Sequence, residues 1–111
     1  MQPLSAKLES WRVTTLAKAS RVLQTPTFKK SVKKLKQNQK NDLDIAIKAL
    51  MAKPSLGEQK KGDLAFLRVY KFKMNKQLTL IGYSFDDGTL TLELMALGSH
   101  ENFYRNIKQH T

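Results

Sequence analysis

An imidazole, a phenol and two ammonium groups are the side chains of this 111-residue sequence best suited to chemistry. His100 and Tyr104 stand four residues apart, so a helix through them would put both rings on one face. An imidazole ordinarily titrates near pH ~6.5, which lets it take or give a proton at neutral pH. Lys71 and Lys73 are two residues apart; on a strand they point to one side and could bracket a phosphate. Arg68 and Arg105 are further cations for charge that builds up in a reaction. Each also has an ordinary structural reading. An exposed imidazole in a short helix needs no function, paired lysines can be a solvated strand face, and Phe103 beside Tyr104 suits an anchor for the last helix. His110 is given no role.

The charge balance says what such residues would meet. Twenty Lys and Arg against nine Asp and Glu leave a net charge of +11. A compact domain is destabilised by that much self-repulsion, so a polyanionic partner is the natural explanation: nucleic acid, an acidic protein or an anionic surface. No stretch approaches the roughly 18 consecutive apolar residues of a membrane span, and residues 1–20 lack the apolar run of a signal peptide. A cytoplasmic protein with no membrane partner is therefore expected. The absence of cysteine excludes disulfides and thiolate metal sites. Two distant histidines are poor material for zinc, and no glycine-rich phosphate loop occurs, so neither metal nor cofactor is expected.

The elements that must position these residues follow from periodicity. Residues 1–20 keep no period for long and form an N-terminal extension of flexible character, with at most a loose helix over Ala6–Ser10. A start codon placed upstream of the domain explains this stretch equally well. Residues 21–111 form the domain. Arg21–Thr25 is a short opening strand, and Thr25-Pro26 then supplies a helix N-cap and first residue. Phe28, Val32 and Leu35 share a face of that helix, with Lys29, Lys30, Lys33, Lys34 and Lys36 around the rest. The polar run Gln37–Lys40 breaks the period. A second helix starts at Asn41 or Asp42, buries Leu43, Ala46, Ile47, Leu50 and Met51, and ends at Lys53-Pro54.

Leu64–Met74 alternates, with Phe66, Tyr70, Phe72 and Met74 on one side and Leu67, Val69, Lys71 and Lys73 on the other. Leu78–Phe85 is a second strand, and Asp87-Gly88 signals the turn to a third. In that third strand Leu90, Leu92 and Leu94 oppose Thr91, Glu93 and Met95. Gly98 stops it, and Ser99 caps a short helix over His100–Gln109. The expected fold class is α+β: a helical hairpin packed on one face of a small antiparallel sheet, the other face open and cationic.

This order of elements resembles the RelE/ParE superfamily of toxins from bacterial type II toxin–antitoxin modules. The segments that carry the resemblance are Lys60-Lys61-Gly62-Asp63-Leu64 leading into Leu67–Lys73, and the closing Leu97–Tyr104. It covers about residues 21–108. In the superfamily, RelE-type members cut mRNA in the ribosomal A site and ParE-type members poison DNA gyrase. Two features favour the ribonuclease branch. Lys71 and Lys73 match the lysines of a Tyr-Lys-apolar-Lys strand motif in RelE that contacts the RNA backbone. Gly98-Ser99-His100 with Tyr104 is similar to the Gly-Thr-His motif and following aromatic of YafQ-like proteins. One departure is plain: RelE has a catalytic arginine in its middle hairpin strand, and this chain has none around Thr79–Ile81.

The resemblance implies a metal-independent, ribosome-dependent endoribonuclease that cleaves mRNA through attack by a neighbouring 2′-hydroxyl. Such chemistry needs a base, an acid and cations. His100, Tyr104, Lys71 and Lys73 are the catalytic candidates; Lys60, Lys61, Arg68 and Arg105 are the RNA-binding ones. The expected partners are an acidic cognate antitoxin, mRNA and ribosomal RNA. Two other outcomes stay open: a ParE-like inhibitor of DNA gyrase without catalysis, and a non-toxic relative that only binds nucleic acid or antitoxin.

Overall fold

The computed structural model describes residues 18–100 and 102–104. Residues 1–17, with the helix expected over Ala6–Ser10, lie outside the described residues. Ala19 is already part of the domain: it is buried, and its N–H donates to the Met51 carbonyl at 3.0 Å.

Helix α1 spans Pro26–Lys33. At eight residues it is far too short to persist alone. Its N-terminus is secured by the Thr25 hydroxyl, which accepts the Phe28 N–H at 3.2 Å. Phe28 and Val32 are completely buried, and Leu35, just past the helix end, packs against the same core. Helix α2 spans Gln37–Ala52, four or five residues longer at its start than the sequence pattern suggests. The cause is local. The Gln39 side chain accepts the Lys36 N–H at 2.8 Å, and the Gln37 amide bonds to Asn41 at 3.0 Å, so the polar run is itself the first turn. Asp44 accordingly lies in the second turn, where it pairs with Lys48 at 3.3 Å. Pro54 ends the helix as expected and opens a short 3-10 turn over Pro54–Leu56. No described helix is long and apolar enough to cross a membrane.

Five strands form one sheet: β1 (Arg21–Gln24), β2 (Glu58–Gln59), β3 (Arg68–Met74), β4 (Gln77–Asp86) and β5 (Thr91–Gly98), in the order β1-β5-β4-β3-β2. The sheet is antiparallel except where β1 lies parallel to β5. The α1–α2 hairpin is the crossover that leaves β1 for the far side of the sheet. The alternation in β3 holds: Tyr70, Phe72 and Met74 pack under the helices, while Val69 faces away. Phe66 falls before the strand and is half exposed, and Leu90 sits in the β4–β5 turn with φ 53°.

The second sheet face is not open along its whole length, as the sequence suggested. Phe103 lies fully buried on it with Leu67, Val69, Leu80 and Ala96, and Leu64, Met95 and Tyr104 pack at the margin. Burying one phenylalanine contributes about 1.5–3 kcal/mol, reason enough for the chain to fold back over its own sheet. What stays uncovered is the end that carries Lys71, Lys73 and half-exposed Leu78.

Tyr83 ties the two halves together. Its hydroxyl donates to the Pro54 carbonyl at 2.5 Å and accepts the Gly57 N–H at 2.8 Å, both inside the core. Burial raises the pKa of this phenol, so it stays protonated and able to donate. Tyr83→Phe leaves both backbone groups buried without that partner. The expected loss is about 1–3 kcal/mol in urea unfolding with an unchanged slope; an unchanged midpoint would refute this role.

Candidate RNA-binding site

The register of the sheet decides which side chains meet. Lys71 pairs with Leu80, and Leu80 pairs with Gly98, so these three positions form one row across β3, β4 and β5. Residues in a row point to the same face. Two strand spacings separate Lys71 from Gly98, about 10 Å from backbone to backbone. Lys73 follows in the next row, opposite Leu78. Both lysines are exposed.

From Gly98 the chain turns back over this face. Ser99 opens the turn as expected, its carbonyl accepting the Phe103 N–H at 2.8 Å. His100 and residues 102–104 are helical; the remainder of the expected helix lies outside the described residues. The Phe103 ring sits over Gly82, where a Cβ would come within 2.7 Å of it. Gly82 belongs to the row of Val69 and Ala96, next to that of Lys71. The turn therefore begins near the lysine rows and runs away from them. His100 stands at its start and exposed; Tyr104 lies one turn further on.

The His100 and Tyr104 rings meet edge to face with centroids 5.0 Å apart, and Phe103 buttresses Tyr104 at the same distance. Lys60 completes the group from the opposite edge of the sheet. Its Nζ lies 5.7 Å from the Tyr104 ring centre and 3.5 Å from the Glu58 carboxylate. A hydrogen bond with Tyr104, and behind it Glu58, raises the Lys60 pKa above the ordinary lysine value. An ammonium with a raised pKa is charged at any neutral pH. The arrangement thus brings a proton-transfer group, an aromatic platform and one ammonium group, that of Lys60, into contact. Lys71 and Lys73 share the sheet face and stand apart from the rings, in the rows from which the turn departs.

Some candidates are not brought into this group. Arg68 lies on the opposite, helix-covered side, in register with Tyr83, and its guanidinium donates to the Gly57 carbonyl at 2.7 Å. Its bonding is that of a brace for the loop after α2. Lys61 is exposed on the loop between β2 and β3, next to Lys60. Arg105 and His110 lie outside the described residues. An open hollow of about 310 Å³ adjoins Arg68, lined also by Lys18, Lys53, Phe66 and Phe85. Its cations serve the fold in part, since Lys18 pairs with Asp87 at 3.5 Å and lies over the Phe85 ring.

Two features escaped sequence reasoning. The contact of Lys60 with Tyr104 joins residues 44 positions apart and has no local signal. On β4 the positions that share the site's face are Leu78, Leu80 and Gly82. The middle strand therefore gives an apolar floor, and Lys71 and Lys73 stand on its β3 flank.

Comparison with known proteins follows the same lines. A family model described as ParE-like toxin of type II bacterial toxin-antitoxin system matches residues 22–108. A search of curated proteins finds no match. Among solved structures the chain is similar to E. coli RelE in three cases. In the intact RelBE toxin–antitoxin complex the identity is 15% and the TM-score 0.58, over 71% of this chain and 94% of that one. For a free RelE with two arginines replaced by alanine, the values are 16% and 0.58, over 74% and 84%. For the isolated toxin they are 15% and 0.57, over 82% and 98%. Likeness at this level of identity is a likeness of fold.

The close seat of Phe103 on Gly82 gives a direct check on the site's geometry. Gly82→Ala pushes a methyl group into that ring and lifts the terminal turn, with an expected cost of about 1–3 kcal/mol. The NMR signals of the His100 ring should shift in this variant; signals identical to the parent protein would contradict the placement.

Proposed function

Because this chain belongs to the ParE-like toxin family of type II bacterial toxin–antitoxin systems, we propose that it is an endoribonuclease toxin acting on mRNA at the ribosome. The observation that carries this reading is the row Lys71–Leu80–Gly98, which sets the lysines of β3 on the sheet face over which the His100–Tyr104 turn folds. A ribose–phosphate link laid along the margin would have its phosphate between Lys71 and Lys73. His100 takes the proton of the 2′-hydroxyl as that oxygen bonds to phosphorus. The bond to the 5′-oxygen breaks, and Tyr104 gives the departing oxygen a proton. Lys71 and Lys73 offset the charge that builds on the phosphoryl oxygens. Leu78, half exposed beside Lys73, gives a base an apolar surface to rest on.

The surplus of positive charge suits two polyanions in turn. The lysines around α1 form a general electrostatic surface for ribosomal RNA. The same surface suits an acidic antitoxin that silences the protein; the E. coli RelE to which this fold is similar was solved in complex with its antitoxin. A second reading rests on the apolar floor of β4. With Leu78 and Leu80 in the middle and no arginine beside them among the described residues, a gyrase inhibitor that works by binding alone fits the same fold.

Brief induction in cells followed by mapping of transcript ends separates the two. The nuclease reading expects new ends within coding sequences, lost in His100→Ala and in Lys71→Ala/Lys73→Ala while antitoxin binding persists. Removing the proton-transfer group should slow cleavage by about 10²–10⁴-fold. Intact transcripts together with DNA-damage signalling would overturn it in favour of gyrase.

A further inference from the structure

The face to which β5 delivers its last residues is set by one extra residue, Met95. Leu92 and Leu94 point into the helix-covered core, and strict alternation would send Ala96 and Gly98 the same way. They do not go there. Tyr83 pairs with Leu94 and its neighbour Gly82 with Ala96, so Met95 has no partner on β4 and forms a β-bulge. Beyond it the alternation is reversed: Leu97 joins the helix-side core, and Ala96 the cluster under Phe103. Gly98 comes into the row of Lys71, and Ser99-His100 leaves the strand over that face.

A bulge costs ladder hydrogen bonds and needs an anchor. Here the anchor comes from the start of the domain. The Thr25 hydroxyl donates to the Met95 carbonyl at 3.0 Å, and the Thr25 N–H donates to the Leu94 carbonyl at 3.0 Å. The same hydroxyl oxygen accepts the Phe28 N–H that opens α1. One side chain thus caps the first helix and pins the irregularity that aims the terminal turn.

We infer that Thr25 is a positioning residue for His100, acting through the Met95 bulge. This rests on the nuclease reading only for its consequence in activity; the geometric claim stands apart from it. The two duties of Thr25 can be separated by substitution. Thr25→Asp keeps an acceptor for the Phe28 N–H and has no hydrogen to give the Met95 carbonyl. Thr25→Ser keeps both, and Thr25→Val, which keeps the β-branch, loses both.

The test reads structure and activity in the same full-length proteins. Gly82 lies beneath the Phe103 ring, so ring current displaces its Hα NMR signal while the turn is seated. Thr25→Asp and Thr25→Val are expected to lose that displacement and at least tenfold in cleavage of ribosome-bound mRNA, and Thr25→Ser to keep both. Running two hydroxyl-free variants means that one failure to fold, seen by circular dichroism, does not decide the matter. A folded Thr25→Asp with the Gly82 signal and cleavage unchanged overturns the inference. Loss of the signal in Thr25→Asp, in a protein that makes no cut in ribosome-bound mRNA at all, would uphold the positioning role and remove the nuclease assignment instead.

Discussion

Side chains on a strand alternate between two faces, and β5 breaks that alternation once. Much of the molecule is organised around that strand. It pairs with β1 on one side and β4 on the other, it supplies Leu92, Leu94 and Leu97 to the main core, and it ends in the turn that carries His100. Without the extra residue at Met95, Leu92, Leu94, Ala96 and Gly98 would all be directed to the same side. With it, one strand serves the core under the helices on one side and the smaller cluster beneath Phe103 on the reverse.

The two faces also divide the labour of the aromatic residues. On the helix side Tyr83 is wholly buried, and its hydroxyl holds the segment after α2 in place. On the other side Phe103 is wholly buried, while its neighbour Tyr104 keeps contact with both Lys60 and His100. Adjacent residues on a helix point about 100° apart, so one can be anchor and the other platform. The cations are arranged with similar economy: Arg68 braces a loop on the covered side, and Lys71 and Lys73 remain exposed on the other.

Features that depend on near neighbours were legible from sequence. Thr25-Pro26 marks a helix start by a bond three residues long, Phe28 and Val32 mark its buried stripe, and Asp87-Gly88 marks the hairpin. The two-residue spacing of Lys71 and Lys73 foretells their common face. What could not be read depends on partners far along the chain. The Met95 bulge is held by a residue 70 positions away, and the parallel pairing of β1 with β5 spans a similar distance. The start of α2 differs for another reason: glutamine is polar yet a good helix former, and the bonds of Gln39 and Gln37 make the polar run the first turn. The covering of the second face by Phe103 was half visible: the residue was assigned to an anchor, but Gly82 gives no sign in sequence that it is the seat.

End-group analysis of RNA cut by the purified protein on programmed ribosomes tests the central claim most directly. Attack by a neighbouring 2′-hydroxyl, with protons moved by His100, leaves a 2′,3′-cyclic phosphate on one fragment and a 5′-hydroxyl on the other. Those ends are the result expected from the margin formed by Lys71, Lys73, His100 and Tyr104. Fragments carrying 5′-phosphates, or mRNA left whole while growth is arrested, would contradict it.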